Sequence, residues 1–134
     1  MNQCTRNLIQ KQKREFPKII EELQHNGRKK NHWAWYVWPT EKSGMSEPYP
    51  KSAISPQDTD ALLFQTDIER WTIILCLLSR LLEHASSRSE IIPVIDHGRI
   101  LYFFRFWHRH SSSLEEHTDF RDAVINFKDA FYKQ

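Results

Sequence analysis

The positions of apolar residues predict a mainly helical chain, because they recur three and four residues apart in several stretches. The first stretch contains Pro17, which suits a first helical turn, and precedes Gly27, which suits a C-terminal cap. Residues 1–15 either extend this helix or are loose. The most apolar stretch covers residues 66–84, and the last one lies within residues 113–131. The apolar residues at helical spacing are Phe16, Ile19, Ile20 and Leu23; Ile68, Trp71, Leu75, Leu78 and Leu82; Ile100, Phe103, Phe104 and Trp107; and Phe120, Val124, Phe127 and Phe131.

Local sequence signals predict where several of these helices begin. The segment Ser55-Pro56-Gln57-Asp58 combines a capping serine, a proline at the first helical position and an acid. Thr66 with Glu69, and Ser113 with Glu116, have the spacing of capping boxes. These signals predict helices that begin near residues 56, 67 and 114.

The helix predicted over residues 66–84 is apolar on nearly all sides, which favours a position at the centre of the fold. Cys76 lies within this apolar run and is expected to be buried and unreactive, whereas Cys4 lies near the N-terminus. Two isolated cysteines do not indicate a disulfide framework.

Two further segments do not show the pattern of an amphipathic helix. Residues 32–38 are apolar on both faces, so the pattern is compatible with a buried strand or a short buried helix that ends before Pro39. Residues 91–95 are expected to be extended and to lead into a turn at residues 96–99. The sequence therefore predicts one compact multihelical domain over residues 1–134, mainly α, with at most two short strands.

Composition and hydropathy indicate the environment in which the protein is expected to fold. Apolar residues make up 40% and charged residues 27% of the 134 residues, as in ordinary globular domains. No apolar run approaches the roughly 20 residues that span a bilayer, and the N-terminus lacks the apolar core of a signal peptide. A cytoplasmic protein without membrane association is expected, while the oligomeric state is left open.

The clearest candidate for binding chemistry is a basic turn followed by aromatic residues. Arg28-Lys29-Lys30 is closely followed by His32, Trp33 and Trp35. Cations beside stacking rings suit a nucleotide, whose base stacks on a ring while its phosphates meet Lys or Arg. The alternative is a buried Trp-rich element next to a solvated basic loop, and a role in binding nucleic acid is disfavoured.

Two other segments supply candidate polar groups. The long loop over residues 40–54 contains Lys42, which suits an anion, and Glu47, which suits general acid–base chemistry. In the 96–99 turn, Asp96 and Arg99 form either a structural ion pair or a base and an anion clamp.

The histidines do not indicate a metal site. His108 and His110 lie two residues apart and so point to different sides of a helix, and His117 has no zinc-site spacing to either. The sequence also lacks a phosphate-binding glycine loop and a nucleophile elbow. No metal and no cofactor are therefore predicted.

Residues 27–39 read Gly-Arg-Lys-Lys-Asn-His-Trp-Ala-Trp-Tyr-Val-Trp-Pro, and residues 96–100 read Asp-His-Gly-Arg-Ile. With these motifs the chain resembles a family of small, mainly helical proteins of unknown function that often carry the label calpastatin. The corresponding family motifs are Gly-Arg-Lys-Arg-x-His-Trp-x-Trp-Phe-x-Phe-Pro and Asp-x-x-Lys-Leu. The chain departs from the family pattern in two places. After the proline the family has Gln-Leu, whereas residues 40–42 are Thr-Glu-Lys. After its lysine the family has Ser-Ser, whereas residues 101–103 are Leu-Tyr-Phe. The family is more distantly similar to NADAR-type domains, which implies an ADP-ribose-like ligand.

These observations lead to two hypotheses. In the first, Trp33 or Trp35 stacks on a nucleotide or ADP-ribose-like ligand, while Lys42 and Arg99 hold its phosphates. If the protein is an enzyme, it is then an N-glycosidase-like hydrolase in which Glu47 or Asp96 acts on the scissile bond. In the second, the protein is a non-enzymatic helical interaction module whose basic turn meets an acidic partner.

Overall fold

Apolar stripes at helical spacing form helices throughout, and the mainly α fold class is confirmed. The computed structural model describes residues 1–134 and contains six α-helices and no strand. The α-helices are α1 (Gln3–Asn26), α2 (Ala34–Val37), α3 (Thr59–Gln65), α4 (Ile68–Glu83), α5 (His97–Arg109) and α6 (Thr118–Tyr132). Four short 3-10 helices lie at Pro56–Asp58, Arg88–Glu90, Val94–Asp96 and Ser111–Leu114.

Helix α1 runs through residues 3–15, so this segment is part of the first helix. Pro17 therefore lies inside α1 and not in its first turn, where it was expected. Pro17 has no N–H to donate to the Lys13 carbonyl four residues earlier. Because Pro17 and Lys13 are both exposed, this carbonyl lies on the hydrated face of the helix. The predicted end of the helix is confirmed: Gly27 has φ 68° and its N–H donates to the Leu23 carbonyl at 2.9 Å.

The core forms where α4 packs between α1 and α6. The predicted stripe of α4 is confirmed for Trp71, Leu75, Leu78 and Leu82, which are completely buried, whereas Ile68 at the start of the helix is partly buried. Aromatic residues dominate the contacts around Trp71. Its ring centroid lies 4.6 Å from that of Phe120, 5.9 Å from that of Phe16 and 6.4 Å from that of Trp107.

Helix α4 is not enclosed on all sides, and this corrects two predictions. Its outer face is open to solvent, with Ile73 at 39% exposure and Cys76 also exposed. The expectations that α4 is surrounded and that Cys76 is buried are therefore wrong. The physical reason is that α4 packs mainly against α1 and α6, which leaves Ile73 and Cys76 on the uncovered side of the helix.

The exposure of Cys76 gives a direct test of this outer face. We expect a maleimide to modify Cys76 in the folded protein, because its side chain is accessible. Partial burial, opposed by Arg80, raises the pKa of the thiol, so the reaction should be slower than that of free cysteine and should accelerate with rising pH. A Cys4→Ser variant isolates the signal in mass spectrometry. Labelling that requires denaturant would contradict the structure.

Both predicted capping boxes are also wrong. The N-cap of α4 is Asp67, whose carboxylate accepts from the Arg70 N–H at 3.1 Å. Thr66 instead donates its hydroxyl to Gln12 in the buried contact between α1 and α3. Ser113 lies 2.7 Å from the Thr59 hydroxyl, and α6 begins only at residue 118. Long-range polar partners thus replaced the local caps.

No helix of the protein combines the length and the apolar character needed to cross a membrane.

Candidate functional site

A wide cleft lies where the second half of α1, the segment over residues 29–36, the loop over residues 44–48 and the start of α5 meet. Its volume of about 1420 Å³ exceeds the roughly 300–1,000 Å³ of pockets that hold small ligands. Charges of both signs line it. The acidic residues are Glu15, Glu21, Glu22 and Asp96, and the basic ones are Lys18, Lys29 and Arg99.

The Trp-rich segment forms a single helical turn, α2, and this resolves the choice between strand and helix. Two buried side chains attach it to the core: Gln12 donates to the Tyr36 carbonyl at 2.8 Å, and the Trp71 indole donates to the Val37 carbonyl at 3.0 Å. With its backbone fixed in this way, α2 buries Trp33 and leaves Trp35 partly exposed on the cleft wall.

Glu22, which is not among the predicted site residues, organises the basic turn. Its carboxylate accepts from the Lys30 N–H at 2.9 Å, from the Asn31 N–H at 3.3 Å and from the Trp33 indole at 2.7 Å. Burial alone would raise the pKa of Glu22, but these hydrogen bonds together lower it below the ordinary value. The sequence contains one signal for this role of Glu22. An acid near the C-terminus of a helix interacts unfavourably with the helix dipole, which favours a compensating partner nearby.

The lowered pKa of Glu22 predicts an acid-dependent loss of stability. A carboxylate with a depressed pKa in the folded state stabilises the protein above its ordinary pKa near 4.5 and loses this contribution as the pH falls through the folded value. We expect Glu22→Gln to unfold at lower urea than the wild type at pH 7, with the difference shrinking near pH 3.5. Glu21→Gln is the matched control. A difference that does not change with pH would contradict the assignment.

Lys29 is not available as a surface cation. It is buried, with its ammonium 2.8 Å from Asp96 Oδ2 and 5.1 Å from the Trp33 ring centroid. Asp96 Oδ2 lacks a directed hydrogen bond, so the pair is a close charge contact. Two predictions are thereby corrected: Asp96 pairs with Lys29 and not with Arg99, and residues 97–99 belong to α5 and not to a turn. The segment over residues 94–96 is a 3-10 helix and is not extended.

Arg99 is a partly buried cation that no carboxylate pairs. Its Nη1 donates to the Trp38 carbonyl at 3.2 Å, and it forms none of the salt bridges of the protein. Burial lowers the pKa of its guanidinium, against the attraction of Glu47 and Asp96. Arg99 is thus desolvated without a full charge partner.

Gly44 brings Trp35 and Arg99 together. A Cβ at position 44 would collide with Cδ1 and Nε1 of the Trp35 indole and would lie 3.0 Å from Arg99 Nη2. Only glycine allows the loop backbone to approach the ring this closely. A flat indole edge and a guanidinium therefore lie side by side beneath the loop.

The predicted site residues separate into two groups. His32, Trp33, Trp35, Asp96 and Arg99 line the cleft. Glu47 and Lys42 do not belong to that lining.

Glu47 is completely buried and accepts from Lys11 Nζ at 2.7 Å, from the Ser52 N–H at 3.0 Å and from the Ser52 hydroxyl at 2.6 Å. Lys42 lies elsewhere, with its ammonium 5.1 Å from the Tyr102 ring centroid. No group of three or more potential ligand side chains is arranged to hold a metal ion.

The chain is an all-helical protein with one large mixed-charge cleft. The model of the family described as "Protein of unknown function (DUF1810)" matches residues 3–127, and the chain belongs to this family. No curated protein and no solved structure matches it.

Proposed function

We propose that the cleft binds a nucleotide-type ligand, with its base on Trp35 and a phosphate on Arg99. The observation that carries the proposal is the unpaired, partly buried guanidinium of Arg99 beside the partly exposed indole of Trp35. A phosphate would supply the anion that Arg99 lacks, through charge-assisted hydrogen bonds that a planar guanidinium makes in pairs. The indole would supply a stacking surface for a base.

The mixed charge of the cleft narrows the ligand class. Carboxylates on the cleft wall would repel a polyanion but leave room for hydroxyl groups, which donate hydrogen bonds to carboxylates. A ribonucleotide combines a short run of phosphates with such hydroxyls, and it carries far less negative charge than a nucleic acid strand. This agrees with the ADP-ribose-like ligand that the resemblance to NADAR-type domains implies.

The proposal extends to hydrolysis of the N-glycosidic bond of this ligand. Both candidate catalytic carboxylates pair with a buried lysine, but only Asp96 also lines the cleft, whereas Glu47 is sealed against Lys11 and Ser52. In this step the bond between the anomeric carbon and the base nitrogen breaks, and a water oxygen bonds to that carbon. The leaving nitrogen keeps the electron pair of the broken bond, and Asp96 accepts the proton that the water loses. Nicotinamide then leaves as a neutral molecule, whereas a leaving adenine takes up a proton from solvent.

Binding is tested by calorimetry with NAD, ADP-ribose, AMP and ATP as probes. We expect Trp35→Ala and Arg99→Ala each to weaken the probe that binds by about tenfold or more, because ~1.4 kcal/mol corresponds to a factor of ten. Arg99→Lys should also weaken it, since it keeps the charge but loses the planar fork. Arg80→Ala, which removes an exposed cation from α4, is the matched control.

Circular dichroism melts of each variant separate lost binding from lost folding. If no probe shifts the melting temperature of the wild type at millimolar concentration, the proposal fails and the interaction module is the better hypothesis. Hydrolysis is tested by release of nicotinamide from NAD or of adenine from AMP. Binding without release, or release that Asp96→Asn leaves unchanged, would remove the catalytic part alone.

A further inference from the structure

A second groove lies apart from the cleft, between the outer faces of α5 and α6. It has a volume of about 570 Å³ and is lined by eight residues, none of them acidic. In this respect it differs from the cleft, whose lining contains both acidic and basic residues. Its cations are Arg105, Arg109 and Lys128, and its polar aromatic residues are His108, Tyr102 and Tyr132.

Most of these cations have no counter-charge in the protein. Arg105 and Lys128 are exposed and take part in none of the salt bridges. Arg109 shares Glu41 with the Tyr102 hydroxyl, at 3.0 Å and 2.8 Å respectively. Lys42 adds a further charge, because its ammonium lies over the Tyr102 ring. The groove is therefore a concentrated positive surface.

Tyr132 adds an accessible aromatic face. Its side chain is 56% exposed, and its ring centroid lies 5.9 Å from that of Phe104 in the groove and 6.1 Å from that of Phe131. The ring is thus supported by the core on one side and open to solvent on the other. A supported ring beside unpaired cations is suited to a base stacked next to its phosphates.

We propose that this groove binds single-stranded nucleic acid, with phosphates on Arg105 and Lys128 and a base on Tyr132. The accessible ring favours this ligand over an acidic peptide, which requires cations only. The groove and the cleft share no lining residue, so this inference is independent of the function proposed for the cleft.

The experiment is fluorescence anisotropy of a labelled ten-nucleotide oligothymidylate over a range of salt concentrations. For single strands, log K falls by about 0.7 per log unit of salt for each phosphate contact, so two contacts predict a slope near −1.4. Arg105→Ala should reduce this slope to about −0.7. Arg80→Ala, which makes the same charge change on the outer face of α4, should leave it unaltered.

The stacking contact is tested by two substitutions at position 132. Tyr132→Leu keeps apolar packing against Phe104 but removes the ring, and it should weaken binding about fivefold or more. Tyr132→Phe keeps the ring and should bind like the wild type. The proposal is overturned if the oligonucleotide does not bind at 20 mM salt, or if Arg80→Ala lowers the slope as much as Arg105→Ala. It is also overturned if Tyr132→Leu binds unchanged while polyglutamate competes equally well, a result that would assign the groove to acidic peptides.

Discussion

Replacing Lys11 with methionine is expected to destabilise the protein by about 3–5 kcal/mol, because it leaves the Glu47 carboxylate buried without its cation. The side chains of Lys11 and Glu47 are 7% and 0% exposed, and their charged atoms lie 2.7 Å apart. Methionine fills most of the space of the lysine stem, so the loss reports the ammonium group, with its ion pair and its hydrogen bonds to the Pro48 and Pro50 carbonyls, and not a cavity. Urea denaturation monitored by circular dichroism measures the change.

A double-mutant cycle separates the ion pair from the packing around it. Glu47→Gln keeps the shape of the side chain and one acceptor for Ser52, and it removes the buried charge. Combined with Lys11→Met, it should restore much of the stability that Lys11→Met alone loses. A double variant as unstable as the sum of both single variants would show that the two charges are not coupled.

The same ion pair explains how a loop without regular structure forms one wall of the cleft. Lys11 also donates to the carbonyls of Pro48 and Pro50, and Lys51 donates to those of Gly44, Met45 and Glu47. Two ammonium groups thus satisfy backbone acceptors that a helix or sheet would otherwise satisfy. Because Gly44 touches the Trp35 indole, the support from Lys11 and Lys51 extends to the proposed ligand site.

Much of the fold could be predicted from periodicity because burial along a helix repeats with the helix itself. The stripe of Trp71, Leu75 and Leu78 and the Gly27 cap are local patterns of this kind. The position of Cys76 is not local, since its exposure depends on which sides of α4 the other helices cover. A residue pattern that is apolar on every side does not contain that information.

The candidate site could be predicted only in part, for a similar reason. Trp35 and Arg99 were selected as a stacking ring and an anion clamp, and the structure brings them to the same cleft. Glu47 has the same local appearance as an active carboxylate, but Lys11, 36 residues earlier, neutralises it. Whether a charge is free depends on distant partners, and the short-range pattern around Glu47 does not identify them.

Trp71→Ala is expected to cost about 3–5 kcal/mol, a large part of the stability of an ordinary domain. Its indole is completely buried among aromatic side chains and also donates to the Val37 carbonyl, so the residue joins the core to the helical turn that carries Trp35. Trp71→Phe keeps most of the ring volume and removes the donor, and it should cost about 1–3 kcal/mol.

Ile73→Ala, on the exposed face of the same helix, should change stability by no more than about 0.5 kcal/mol. Urea denaturation of the three variants gives the comparison, and a loss for Ile73→Ala equal to that for Trp71→Ala would contradict the assigned core. If the indole donor also fixes the turn, Trp71→Phe should weaken a ligand bound at Trp35 although it does not touch that ligand.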